Sequence, residues 1–316
     1  MTTGALPAII DHLLRCSAAP PEEISTYGGW KRSWRARSSH WRRPIEGALA
    51  MGLAADCPAW AFAAGYQAAI QALTAPLALE GLGAVCVTER GGTHPARLQS
   101  ILVALPEAAG QWRLDGEKTF VTGAAEADCL LVAAVAGTGP RGRRRIRMAA
   151  VDAGTPGLII EERPALALVP ELPHAGVRFE GVLLSDDQLL PGDGYIDGMK
   201  RFRVLEDLYG PASMLAWVFG VGRRAGGPQR RLAALLQQMA AACALARSAL
   251  TSPAAHIVLG GWLEAAQGLL AGDEGWDRVP GREGERWDRD RALLNMAATA
   301  RKQRFTRAWG AYNGRA

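Results

Sequence analysis

A chain of 316 residues, 49% of them hydrophobic, can bury a core large enough for two or three structural units. Lysine and arginine (36) exceed aspartate and glutamate (31) by five, too thin a surplus to imply nucleic-acid binding. No window approaches the roughly eighteen uninterrupted apolar residues of a spanning helix. The opening Met1-Thr2-Thr3-Gly4 starts no signal sequence either, so a soluble, cytoplasmic protein is expected.

The five cysteines are dispersed, odd in number and lack a Cys-x-x-Cys pair, and the five histidines have no partner at a metal-binding spacing. A metal enzyme is not expected.

From Ile9 to about Leu79 the chain is rich in alanine and leucine, and Leu49, Leu53, Trp60, Ala64 and Ile70 fall at helical spacings. Trp30, Trp34 and Trp41 sit among arginines, which reads as the packing of a helical domain rather than a partner surface. Near Gly81 the composition changes. Short runs rich in branched residues follow, separated by Gly, Pro and Asp: 98–105, 111–114, 118–121, 129–135, 146–152, 157–162 and 177–184. Such runs without intervening helices predict an antiparallel sheet or barrel. Arg141 to Arg147 lies between two of them and reads as a solvated hairpin.

After Pro191 the helical period returns. Leu205, Leu208, Ala212, Leu215 and Phe219 predict one apolar stripe of a helix. Further helices are expected over 229–250, 253–270 and 288–309, with a surface loop over 272–285. The fold class is therefore α+β, with an N-terminal helical domain (1–80), a middle antiparallel β-barrel or sandwich domain (81–194) and a C-terminal helical bundle (195–316).

Two stretches carry chemistry. Cys86-Val87-Thr88-Glu89-Arg90-Gly91-Gly92-Thr93-His94 leaves a strand and enters a glycine-bearing turn, where the backbone can approach a ligand and threonines offer hydroxyls. In Trp112 to Gly123, Asp115-Gly116 is a hairpin signal between two strands, and Phe120 and Thr122, two apart, share a face. The set resembles the acyl-CoA dehydrogenase pattern of a Thr-Glu turn, a Leu-Asx-Gly-x-Lys hairpin and an aromatic-x-Thr strand end. The likeness continues through Thr155-Pro156-Gly157-Leu158, then Val177 to Val182 with Leu190-Pro191-Gly192.

The resemblance implies FAD lying between the sheet and the helical bundle, with Thr88, Glu89, Thr93, Phe120 and Thr122 as the cofactor-binding set. Thr88 and Thr122 match positions that hydrogen-bond the isoalloxazine, Phe120 the aromatic that flanks it, and Thr93 a serine near the diphosphate. A planar electron-accepting ring calls for an aromatic wall and nearby donors. His94 replaces a usual aspartate and reads as a surface residue.

By the same resemblance the protein is an FAD-dependent oxidoreductase of fatty-acid metabolism that removes α and β hydrogens from an acyl-CoA or acyl-carrier thioester. It would pass electrons to an electron-transfer flavoprotein and form a homo-oligomer, or a hetero-oligomer with a related subunit. The family's base is a glutamate, usually in a loop beyond the helix that 288–309 resembles. With the sequence running to Ala316, the expectation is a shortened member without that loop or the glycine-pair loop, of which Asn313-Gly314 is a remnant. Some members carry the base on the first helix of the last domain, where Glu206 falls, with Gly210 and Ser213 leaving room for an acyl chain. Two readings of Glu206 stand: the base, or a solvated carboxylate paired with Arg203 or Arg201. The matching functional alternative is a non-catalytic member that binds acyl-CoA or supports a complete homologue.

Overall fold

The computed structural model describes residues 7–272, 279 and 281–314 and, at Arg141, the backbone alone. Helix α1 (Ala8–Cys16) leads to α2 (Tyr27–Ser38), whose N-cap Thr26 accepts a hydrogen bond from the Gly29 amide at 3.1 Å. Helices α3 (Pro44–Ala54) and α4 (Pro58–Thr74) each open on proline, whose fixed φ suits the first turn. Tyr27, Trp30, Trp34 and Trp60 form a stack with centroids 5.3 to 6.2 Å apart, so the tryptophan cluster is core, as its sequence context suggested. Asp128 ties α2 to the sheet, accepting from Lys31 at 2.9 Å, Arg35 at 2.7 Å and the Leu82 amide at 2.7 Å.

Seven strands make one sheet: β1 (Gly83–Cys86), β2 (Ile101–Ala104), β3 (Gln111–Thr122), β4 (Cys129–Thr138), β5 (Arg144–Asp152), β6 (Leu158–Glu162) and β7 (His174–Ser185). The path runs β1-β4-β2-β3-β7-β6, with β5 on β4. The sequence-based expectation of antiparallel strands needs amending, because β1 and β2 both run parallel to β4. A second correction concerns Asp115-Gly116. These residues do not turn the chain; they lie inside β3, at a register shift against β7. Gly116 has φ +146°, and a Cβ there would lie 2.4 Å from the Ser100 hydroxyl, so glycine serves close approach at a bulge. Asp115 stays in the sheet's fabric, accepting from the Gly181 amide at 2.7 Å. Arg143, Arg144 and Arg145 are exposed at the β4–β5 hairpin.

A π-helical turn (Gly194–Lys200) runs into α5 (Arg201–Arg224), followed by α6 (Gln229–Leu245) and α7 (Pro253–Ala271). Helix α5 is buried from Phe202 to Val221 on nearly every side rather than along one stripe, because α3, α4, α6 and α7 all pack on it. Small residues bring α4 and α5 close: a Cβ on Gly65 would lie 2.6 Å from the Gly210 Cα. Ser213 belongs to this seam, donating to the Ala61 carbonyl at 2.7 Å, and does not face an acyl chain as the sequence suggested. The helix expected over 288–309 is two helices, α8 (Arg282–Asp290) and α9 (Ala298–Gly310), separated by a 3-10 turn and by Ala297 at φ +64°. Of the loop expected over 272–285, residues 273–278 and 280 lie outside the described residues, and α8 already begins at Arg282. No described helix is long and apolar enough to cross a membrane.

Candidate functional site

A cavity of about 570 Å³ lies where the sheet meets α4, α5 and the segment from Leu293 to Gln303. Five of the six candidates from the sequence, Thr88, Thr93, Phe120, Thr122 and Glu206, border it. The turn after β1 is held to β3 by a backbone hydrogen bond from the Thr119 amide to the Thr88 carbonyl at 2.9 Å. Glu89 and Gly92 close the turn, each amide donating to the other's carbonyl, at 3.3 and 2.8 Å. The side chains of Thr88 and Thr122 thereby share a wall with Phe120, and neither hydroxyl has a hydrogen-bond partner among the described residues.

Glu89, the sixth candidate, turns away from the cavity. Its carboxylate is 5% exposed and accepts from Lys118 Nζ at 2.6 Å, from the Gln99 and Ser100 amides at 2.5 and 3.1 Å and from the Ser100 hydroxyl at 2.8 Å. Burial alone would raise its pKa, but the Lys118 ammonium and these donors outweigh burial and hold it below the usual value. Lys118, fully buried, also donates to the Ala133 carbonyl at 2.6 Å. The pair fixes the glycine turn against β3 and β4, which makes Glu89 a support for the ligand wall and not part of it. The Leu-Asx-Gly-x-Lys pattern in the sequence thus marks a bulge and a buried lysine, not a hairpin.

Phe120 is 38% exposed toward the cavity, and its other side rests on the His174 ring, 4.4 Å away between centroids at an interplanar angle of 29°. Thr93 and His94 are exposed, and the His94 ring accepts from the Ala96 amide at 3.2 Å. Facing the sheet, α5 contributes Lys200 at its N-terminal edge, then Arg203, Glu206, Asp207 and Gly210. Glu206 is 26% exposed, and Arg203 lies 3.8 Å away in a loose i, i+3 pair. Burial raises the Glu206 pKa; Arg203 and, more weakly, Arg301 oppose it, while Asp207 adds to it. The loose pairing leaves a carboxylate with raised proton affinity beside the cavity, which suits a general base.

Sequence reading missed Asp207. It is buried and clamped by the last helix, with Arg301 Nε and Arg304 Nη2 each 2.6 Å from one of its oxygens. Arg301 also donates to the Leu294 carbonyl at 3.0 Å, so the clamp sets the position of the wall from Leu293 to Gln303. The only signal in sequence is the i, i+3 spacing of Arg301 and Arg304. His174 was missed as well.

The chain is thus a helical layer, a curled sheet and a second helical layer, with a cavity at their junction. Residues 84–182 match the family of the acyl-CoA dehydrogenase middle domain. Butyryl-CoA dehydrogenase from Megasphaera elsdenii superposes with a TM-score of 0.66 at 16% identity, over 98% of this chain and 100% of that chain. An acyl-CoA dehydrogenase from Geobacillus kaustophilus gives 0.61 at 15% identity, over 95% and 96% of the two chains. The prolyl acyl carrier protein oxidase AnaB gives 0.64 at 15%, over 96% and 98%. No curated protein sequence matches. The chain carries the acyl-CoA dehydrogenase fold throughout, and the segment that matches the family's middle-domain pattern is its sheet.

Proposed function

We propose that this protein is an FAD-dependent oxidoreductase that dehydrogenates an acyl thioester between its α and β carbons, with Glu206 as the base. The observation that carries the reading is the shared cavity: a carboxylate of raised proton affinity on α5 borders the same space as an outward-facing aromatic ring and two unpartnered threonine hydroxyls. That donor set fits an isoalloxazine, which needs an apolar wall and hydroxyl donors at its polar edge. FAD, when bound, supplies the acceptor for the β hydride. Thr88 and Thr122 would hold the ring's polar edge, Phe120 would cover one face and Thr93 would meet the diphosphate. Glu206 takes the α proton onto its carboxylate, and burial strengthens it for that task. The clamp of Arg301 and Arg304 on Asp207 ties α9 to α5 beside the base.

A butyryl-CoA dehydrogenase and a prolyl acyl carrier protein oxidase among the structural neighbours support a thioester, on coenzyme A or on an acyl carrier protein. An electron-transfer flavoprotein as electron acceptor, and assembly with a second copy or a related subunit, complete the proposal. The test is a titration of the purified protein with FAD followed by visible absorbance, then addition of acyl thioesters without oxygen. Binding followed by bleaching supports the reading. Failure to bind FAD refutes it, and FAD binding without bleaching by any thioester indicates a binder without dehydrogenase activity.

A further inference from the structure

The wall residue Phe120 does not stand on the sheet alone. In the β3–β7 ladder Thr122 pairs with His174, and the register shift between Lys118 and Val121 places Phe120 diagonally across from it. The space over Gly176, nearby on β7, is taken by the Arg163 guanidinium, whose Nη2 would lie 3.2 Å from a Cβ there, so the Phe120 ring rests on His174 itself. The imidazole is 6% exposed, and its Nδ1 has no hydrogen-bond partner among the described residues. Burial lowers its pKa, partly offset by the Leu172 carbonyl, so the ring is neutral near pH 7. A buried polar ring with an unpartnered nitrogen is costly in a core, where an apolar side chain would fill the same volume. Its near-parallel contact with an otherwise exposed phenyl ring gives that cost a purpose. The phenyl has two χ angles and one free side, and without support it can rotate into the cavity or fold onto the sheet.

We infer that His174 is a positioning residue, acting through Phe120, that presents the phenyl face to the isoalloxazine ring. This rests on the flavin reading above. An aromatic pair is worth about 0.5 to 1.5 kcal/mol beyond its area, which at a tenfold change per 1.4 kcal/mol corresponds to about two- to tenfold in FAD affinity.

The test is a double-mutant cycle with FAD binding and the quenching of FAD fluorescence as readouts, on the full chain. His174→Ala should weaken FAD binding by about two- to tenfold and reduce quenching. His174→Phe, which keeps the stacked ring and removes the nitrogens, should restore both. In a Phe120→Ala background, His174→Ala should add nothing, because its partner is gone. Thermal melting of the FAD-free variants separates loss of fold from loss of positioning. Unchanged FAD binding in His174→Ala, or an effect of equal size in the Phe120→Ala background, overturns the inference while leaving the flavin reading intact. A wild-type protein that binds no FAD overturns both.

Discussion

Lys118→Met removes the cation from the most buried ion pair among the described residues. Its ammonium is 0% exposed and gives 2.6 Å bonds to Glu89 and to the Ala133 carbonyl. Breaking such a pair from one side costs about 3–5 kcal/mol, because the partner charge stays buried. Here Glu89 keeps three other donors, from Gln99 and Ser100, which places the expected cost near the lower end, about 3 kcal/mol. Lys118→Met with Glu89→Leu leaves no stranded charge and should recover much of the loss.

The sign with pH follows from Glu89, whose folded pKa is depressed. Its stabilising contribution is present above the ordinary carboxylate pKa and is lost as pH falls through the folded value. In Lys118→Met the carboxylate loses its cation, so protonation relieves the penalty, and the gap to wild type should narrow from about pH 8 to about pH 5. Urea unfolding followed by tryptophan fluorescence reads both quantities. A single-variant cost below about 1 kcal/mol, or a gap that does not change with pH, would refute the account of this pair.

Four further outcomes are expected. Gly210→Ala should be tolerated or raise the melting temperature, since an added Cβ meets nothing within 4 Å and glycine is a poor helix residue. Gly210→Val should weaken binding of longer acyl thioesters more than short ones, read by calorimetry, because position 210 borders the cavity one turn past Glu206. Gly116→Ala places a Cβ 2.4 Å from the Ser100 hydroxyl at φ +146°, and should lower the urea midpoint by more than a surface substitution does. Asp207→Asn should loosen α9, measured as faster amide exchange over 298–310, since it weakens two 2.6 Å charged contacts.

The order of helices, sheet and helices was legible because composition changes at Gly81 and again past Pro191, and local patterns carry that information. Phe120 and Thr122 were placed on one face by the two-residue period of a strand, and both border the cavity. Asp115-Gly116 misled because a glycine with positive φ serves a bulge as readily as a turn, and only the Ser100 contact from β2's approach decides between them. Helix α5 gave a stripe in sequence but is enclosed by four helices that local periodicity does not report. The clamp on Asp207 joins residues 94 and 97 apart, and His174 meets Phe120 only through the β3–β7 register. The i, i+3 spacing of Arg301 and Arg304 is the one local mark either leaves.

The most direct test of the central claim is the anaerobic reduction of the FAD-loaded protein by an acyl thioester, compared between wild type and Glu206→Gln across pH. The account predicts bleaching in wild type, at a rate that rises with pH through a value above the ordinary glutamate pKa, and its abolition in Glu206→Gln with FAD binding retained. Bleaching at the wild-type rate in Glu206→Gln would contradict it.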